Sequence, residues 1–118
     1  MRKRPVSVIE FAGYRRRADE LLTREQQDAV IDLVAYEPTF GDLIPGSGGL
    51  RKARVGIERR GKRGGARVIY YFHDADVPIL LLALYAKNEK GDLTSREKKE
   101  FGELARKVVL QWRKRSRS

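Results

Sequence analysis

Three short segments rich in β-branched, aromatic and aliphatic residues follow one another in the middle of the chain, and they constrain the fold more than any other feature. In chain order they read ARVGI, RVIYYF and PILLLALYA, within residues 53–86. The connections ERRGKRGG and HDADVP are short and turn-rich, and the first has the glycines of a β-hairpin. Strands joined by such short connections pair side by side in opposite directions. The sequence therefore predicts an antiparallel sheet at the centre of the fold.

One further strand and two helices are predicted before this sheet. Residues 6–11 (VSVIEF) are apolar and β-branched, which is typical of a strand, and residues 11–22 carry apolar residues at helical spacing. Thr23 and Gln26 form a capping box at the start of a second helix. Pro38 ends that helix, because proline disfavours helix in the residue before it. The chain thus reaches the central strands through a strand and a helical pair.

A last helix follows the sheet. Thr94 and Glu97 form a second capping box, and apolar residues recur after them at spacings of three and four up to Trp112. The order β-α-α-β-β-β-α predicts an α+β fold, in which helices pack on one face of a small antiparallel sheet. The chain has 118 residues, and we expect one domain over residues 1–118 with a flexible basic tail at 113–118.

The formal net charge of the chain is +10, and most of it lies in one segment. Eight basic residues lie between Arg51 and Arg67, where Glu58 is the only acidic residue. A charge concentrated in this way favours nucleic acid as the partner over a basic surface that serves only solubility. The chain has no cysteine, which excludes a disulfide framework and a thiolate metal site.

The hydrophobic segments are too short for a membrane protein. The longest apolar run covers Val77–Ala86, whereas a membrane helix needs roughly 18 such residues. The basic N-terminus is followed by an apolar stretch that is too short for a signal peptide. We therefore expect a cytoplasmic protein that has no membrane partner.

Strand alternation places part of the positive charge on one face of the sheet. Lys52 and Arg54 lie opposite the apolar side of their strand, and Arg67 shares a face with Tyr71 on the next strand. Guanidinium groups bind phosphate through two hydrogen bonds and aromatic rings stack on bases, so this face is typical of a single-stranded RNA site. The sequence leaves open whether Tyr71 and Tyr85 are stacking residues or core residues.

Three linked blocks in this region, PGSGGLRKARV, GKRGGARVIYYF and LYAKNEKGDLT, resemble the RelE/HigB superfamily of toxins from bacterial toxin–antitoxin modules, on the HigB-like side. The resemblance covers residues 40–112. It implies a RelE-like fold and the activity of a ribosome-dependent mRNA endonuclease. The partners that it implies are mRNA on the ribosome, small-subunit (16S) ribosomal RNA and a cognate HigA-like antitoxin with a helix-turn-helix domain.

The resemblance also implies chemistry without a metal or any other cofactor, in which the ribose 2′-hydroxyl attacks the adjacent phosphorus. This reaction needs a base, an acid and stabilisation of the charge on the phosphorane. His73 is the only histidine, and a lone histidine in a turn is more often solvated than catalytic. Lysine and arginine are the remaining candidates. Repulsion among many cations lowers the pKa of a lysine and makes a neutral base available, whereas arginine stays charged.

Carried over by position, the resemblance assigns roles to five residues. Arg54 and Arg67 stabilise the charge of the transition state, Lys62 or Lys87 is the base or the acid, and Tyr71 stacks on a base or relays a proton. Five further basic residues are expected to bind the RNA backbone or the ribosome: Arg51, Lys52, Arg59, Arg60 and Arg63. Three polar residues are expected to be structural, in a turn before the last helix: Asn88, Glu89 and Asp92.

The sequence leaves two other functions open. One is a non-catalytic RNA-binding or ribosome-associated module, and the other is a nuclease that cuts free RNA. Both predict the same basic patch and the same salt-sensitive binding. Cutting on programmed ribosomes but not on naked RNA separates the three possibilities.

Overall fold

The computed structural model describes residues 4–59 and 62–116, but not the side chains of residues 58, 59, 62 and 63. The described chain forms five strands and three helices. In chain order these elements are β1 (Val8–Glu10), α1 (Ala12–Leu21), α2 (Arg24–Tyr36), β2 (Asp42–Leu43), β3 (Leu50–Arg59), β4 (Lys62–Tyr71), β5 (Ile79–Ala86) and α3 (Ser95–Ser116).

All five strands belong to one sheet with the order β1-β5-β4-β3-β2. The predicted α+β class is confirmed, but the sheet is mixed rather than antiparallel, because β1 runs parallel to β5. The other pairs are antiparallel, including the short β2, which pairs with β3 in a stretch that was predicted as loop. Side-chain alternation within a strand carries no information on the direction of its neighbour, so the sequence could not reveal the parallel pair.

Helices cover both faces of the sheet, so the prediction that they pack on one face is wrong. One core cluster joins α1 and α2 to the sheet through Tyr14, Val34 and Tyr70, and a second joins α3 to the opposite face through Ala105 and Val109. The physical reason lies in the two central strands. Nearly every residue of β5 is buried, as is β4 from residue 66 to residue 71, and strands buried on both sides need cover on both sides.

The helix termini follow the local signals in the sequence. Both predicted capping boxes are present: the Gln26 amide donates to Thr23 Oγ1 at 3.1 Å, and the Glu97 amide donates to Thr94 Oγ1 at 3.1 Å. Helix α3 continues to Ser116, so residues 113–116, expected to be a flexible tail, are helical. Basic residues in the last turn of a helix are favoured by its dipole. None of the described helices is long and apolar enough to cross a membrane.

Candidate nucleic-acid interface

The sheet face that α3 covers has two halves with different chemistry. We call the part beneath α3 the apolar half, and it contains Leu50, Ile69, Tyr71, Leu80 and Leu82. We call the part toward the β3–β4 hairpin the cationic half, and it contains Lys52, Arg54, Arg67 and Tyr85. The segment that covers the cationic half is the β5–α3 loop, residues 87–94.

Strand register brings the residues of the cationic half together. Arg67 lies directly opposite Arg54 on one side and Tyr85 on the other, so the three residues form a row across β3, β4 and β5. Opposite residues on neighbouring antiparallel strands share a face, with Cβ atoms about 4.5–5.5 Å apart. Lys52 is two residues from Arg54 and projects from the same face about 7 Å away. The predicted grouping of Lys52, Arg54 and Arg67 therefore matches the observed register.

Tyr85 joins this row through an irregularity in β5. Ile69 pairs with Ala83 and Tyr70 pairs with Leu81, so Leu82 is an extra residue on its strand. Without that extra residue, strict alternation would place Leu80 and Tyr85 on opposite faces. The bulge places both in the cluster on the α3 side. The sequence left Tyr85 open between two roles, since nothing in the run ILLLALYA marks the position of the bulge.

The β5–α3 loop contacts three of the four residues in the cationic half. Arg67 Nε donates a hydrogen bond to the Gly91 carbonyl oxygen at 3.3 Å, and Arg67 is only 8% exposed. Lys52 Nζ lies 3.1 Å from Asp92 Oδ1. The ammonium group of Lys90 lies 5.4 Å from the centroid of the Tyr85 ring. The loop thus closes over the cationic half through polar contacts rather than apolar packing.

The Tyr85 hydroxyl is buried and has no hydrogen-bond partner within the part of the chain that the structure describes. Burial raises the pKa of this phenol, the negative charge of Asp92 raises it further, and Arg67 opposes the change. Tyr85 therefore stays protonated at neutral pH, and its hydroxyl is available to donate a hydrogen bond rather than to act as a base.

The end of the cationic half toward the hairpin is open. Arg54 and Lys87 are exposed, and no hydrogen bond or ion pair involves their side chains among the side chains that the structure describes. The Lys87 amide donates to the Gly65 carbonyl oxygen at 2.8 Å, so Lys87 lies beside β4 just beyond the Arg67 row. Gly65 pairs with Gly56 on β3. A Cβ added to Gly56 would meet no atom within 4 Å. Two glycines thus form a flat surface next to the exposed cations.

Some residues singled out from the sequence lie away from the cationic half. Tyr71 is a buried residue of the apolar half, and its ring stacks on His73 with centroids 6.4 Å apart. Arg51 faces the opposite side of the sheet from Lys52, and its guanidinium donates to the Gly41 carbonyl oxygen at 2.7 Å. His73 lies next to Asp74, with 3.6 Å between Nε2 and Oδ2. The structure does not bring these residues to Arg67.

Four basic residues expected to act at the site fall at the tip of the β3–β4 hairpin. The backbone pairing of the hairpin continues as far as residues 59 and 62. The side chains of Arg59, Lys62 and Arg63, and the whole of Arg60, lie outside the described residues. Their roles stay predictions.

A sheet face that groups arginines, a lysine and a neutral phenol is typical of small α+β proteins that bind nucleic acid. A family model described as the RelE toxin of the RelE/RelB toxin–antitoxin system matches residues 41–115 of the chain. The chain therefore belongs to the RelE toxin family, as the resemblance in the sequence predicts. Toxins of this family are typically endoribonucleases that inhibit translation and are paired with a cognate antitoxin. The match spans β2 to α3 and includes the whole cationic half.

Proposed function

We propose that this protein is a HigB-like, ribosome-dependent mRNA endonuclease that cuts the messenger without a metal or any other cofactor. It acts in the cytoplasm on mRNA in the ribosome, contacts 16S ribosomal RNA, and is neutralised by a HigA-like antitoxin with a helix-turn-helix domain. The observation that supports this proposal most is the row Arg54–Arg67–Tyr85, with Lys52 beside it on the same face.

In the proposed reaction, the 2′-oxygen of a ribose forms a bond to the adjacent phosphorus while the bond from phosphorus to the 5′-oxygen breaks. The products are a 2′,3′-cyclic phosphate and a free 5′-hydroxyl. Negative charge grows on the non-bridging oxygens of the phosphorane. Arg54 and Arg67 stabilise that charge through their guanidinium N–H donors, and the neutral Tyr85 hydroxyl donates a further hydrogen bond.

Two proton transfers complete the reaction. A base takes the proton of the 2′-hydroxyl, and an acid gives a proton to the leaving 5′-oxygen. Lys87 is one candidate because it is exposed beside the Arg67 row, and Lys62 is the other. Between them, these two lysines supply the base and the acid.

Further basic residues lie outside the cationic half, on α1 across the sheet and at the end of α3. Arg15 and Arg16 are exposed on α1, and Lys114 and Arg115 lie in the last turn of α3, beyond the Arg113–Asp74 ion pair. We assign these groups to contacts with ribosomal RNA, where they also raise the rate of encounter. Binding that depends on such contacts weakens steeply as salt rises.

The first test uses the purified wild-type protein with a defined messenger, either naked or on programmed ribosomes, in the presence and absence of EDTA. We expect cuts only on ribosomes, unchanged by EDTA, with 2′,3′-cyclic phosphate and 5′-hydroxyl ends. Cuts in naked RNA would favour a nuclease for free RNA, and loss of cutting in EDTA would contradict metal independence. Translation arrest without new RNA ends would favour a non-catalytic ribosome-binding module.

The second test compares Arg67→Ala with Arg113→Ala, a control that removes a charged arginine at the far end of α3. Loss of a donor to the phosphorane should lower the cleavage rate on ribosomes by about 10²–10³-fold. Arg113 pairs with Asp74 across 2.7 Å, away from the cationic half, and its variant should cleave at close to the wild-type rate. Equal rates for the two variants would remove Arg67 from the proposed mechanism.

A further inference from the structure

Two consecutive residues of the β5–α3 loop hold two cations of the site with oxygen atoms of the protein itself. The Gly91 carbonyl oxygen accepts from Arg67 Nε, and Asp92 Oδ1 accepts from Lys52 Nζ at 3.1 Å. Both cations lie on the face where RNA is proposed to bind, and both have an oxygen acceptor before RNA arrives. A phosphate needs the same donors, because each of its oxygens accepts hydrogen bonds from arginine and lysine.

We propose that Gly91 and Asp92 occupy the places of RNA phosphate oxygens in the free protein, so that RNA binds by displacing them from Arg67 and Lys52. Asp92 is then a built-in competitor of the substrate. The inference rests on the proposed function only in taking RNA as the ligand of this face. It assigns an autoinhibitory role to a residue expected from the sequence to be structural.

Releasing Asp92 from Lys52 and Gly91 from Arg67 costs the protein little free energy. The Asp92 side chain is 60% exposed, so it regains full hydration when it leaves Lys52. Ion pairs this exposed contribute only about 0.2–1 kcal/mol to stability. Gly91 has open space around its Cα, and an added Cβ would meet no atom within 4 Å. Both residues can move without disturbing a packed core.

The loop is fixed after this pair by Leu93, which is buried in the core, and before it by polar contacts. Glu89 forms an ion pair with Arg17 of α1 and accepts a hydrogen bond from the Ala86 amide at 2.9 Å. Lys90 binds Glu97 of α3, with 2.5 and 2.7 Å from Nζ to the two carboxylate oxygens. The movement is therefore confined to the two residues that contact the cations.

Tyr85 supports the same inference. Its hydroxyl is buried without a hydrogen-bond partner among the described residues, and a buried unpaired hydroxyl carries a free-energy cost. Tyr85 lies opposite Arg67, and the ammonium group of Lys90, the residue before Gly91, lies 5.4 Å from the centroid of its ring. A phosphate that replaces Gly91 at Arg67 supplies the missing acceptor. The complex then satisfies a group that the closed state leaves unsatisfied.

The test measures the affinity of the purified full chain for a fluorescent 2′-O-methyl RNA at low salt, by anisotropy. The 2′-O-methyl group removes the nucleophile, so the measurement does not depend on cleavage. Asp92→Asn should bind this RNA about threefold to tenfold more tightly than the wild type. Asparagine keeps an oxygen acceptor for the turn before α3 but loses the charge that competes with phosphate.

Asp74→Asn is the matched control. Asp74 also pairs with a cation, Arg113, lies beside His73, and accepts from a backbone amide in its own turn, that of Asp76 at 2.9 Å. Its variant loses the same charge far from the cationic half, and its affinity should change by less than about twofold. When Lys52 is replaced by alanine, Asp92→Asn should increase the RNA affinity by no more than the control does, because the cation for which Asp92 competes is gone.

Three results would overturn the inference. They are weaker RNA binding by Asp92→Asn, an equal gain in Asp74→Asn, or no detectable RNA binding by any variant at low salt. The first would show that Asp92 orients Lys52 for its ligand. None of these results decides whether the protein cleaves RNA, because that is read from messenger ends on ribosomes. Failure of this inference and failure of the proposed function are therefore distinguishable.

Discussion

The apolar half and the cationic half of the sheet face beneath α3 are built on the same strands, but they are covered by different kinds of contact. β4 contributes Ile69 and Tyr71 to the apolar half and Arg67 to the cationic half, only one pleat away. The apolar half is covered by a helix through side-chain packing, whereas the cationic half is covered by a loop through hydrogen bonds and ion pairs. The same strand thus contributes residues that stabilise the fold at one end and residues of the proposed RNA site at the other.

The difference follows from the kinds of contact on each side. A fully buried aliphatic side chain contributes about 1.5–3 kcal/mol, and it has no better partner in water or RNA. A partly exposed ion pair contributes about 0.2–1 kcal/mol and can exchange its partner for a phosphate at little cost. Substitutions in the apolar half should therefore change unfolding, and those in the cationic half should change RNA chemistry.

The largest effect on unfolding is expected for Leu80→Ala. Leu80 is fully buried in the apolar half, so the substitution removes packed methyl groups and leaves a cavity. The free energy of unfolding should fall by about 2–5 kcal/mol in urea titrations, with cleavage per folded molecule unchanged. If the variant kept its stability but lost cleavage, the claim that the apolar half serves stability and not RNA chemistry would be wrong.

A smaller effect is expected from a pair of matched tyrosine substitutions. Tyr85→Phe removes a donor from the cationic half and should slow cleavage on ribosomes by about tenfold. Its stability should hold or rise, because the lost hydroxyl is buried without a partner in the described chain. Tyr71→Phe, in the apolar half, should leave the cleavage rate near that of the wild type. If Tyr71→Phe slowed cleavage more than Tyr85→Phe, the roles assigned to the two tyrosines would be exchanged.

The smallest effect concerns the pH dependence of the contact that fixes the loop to α3. The hydrogen bond from Lys90 is the main cause that lowers the pKa of Glu97 below its ordinary value. Stability from this pair is fully present above the unfolded pKa of about 4.3 and is lost as pH falls through the lower folded pKa.

Between about pH 5 and pH 3, Glu97→Gln should therefore lose less stability than the wild type, by under about 1 kcal/mol. Thermal unfolding across this range checks the prediction. Lys90→Ala, which removes the partner, should reduce the slope in the same direction. Unchanged slopes in both variants would mean that this pair does not fix the loop.

Local features of the fold could be predicted from the sequence because they depend on neighbouring residues. The capping boxes at Thr23 and Thr94, and the three central strands, depend on patterns a few residues long. The second helical layer and the parallel β1–β5 pair depend on contacts between distant segments. The nearly continuous apolar runs of β4 and β5 are the sequence feature that indicates helices on both faces of the sheet.

The site could be predicted in part for the same reason. Alternation along one strand is local, so it placed Arg54 and Lys52 on one face and gave the face of Arg67 on its own strand. Tyr85 required the bulge at Leu82, which is a property of the β4–β5 pairing. Asp92 required the fold of the β5–α3 loop over β3, which no spacing in the sequence reveals.

The most direct test of the central claim neutralises three cations of the proposed site together. The variant carries Arg54→Gln, Arg67→Gln and Lys87→Gln, and its control carries Arg96→Gln, Lys99→Gln and Lys107→Gln, three exposed cations of α3. Both lose the same charge. We predict that messenger cleavage on programmed ribosomes disappears in the first and persists in the second. Cleavage at the wild-type rate in the first variant would contradict the claim that these side chains stabilise the breaking phosphate.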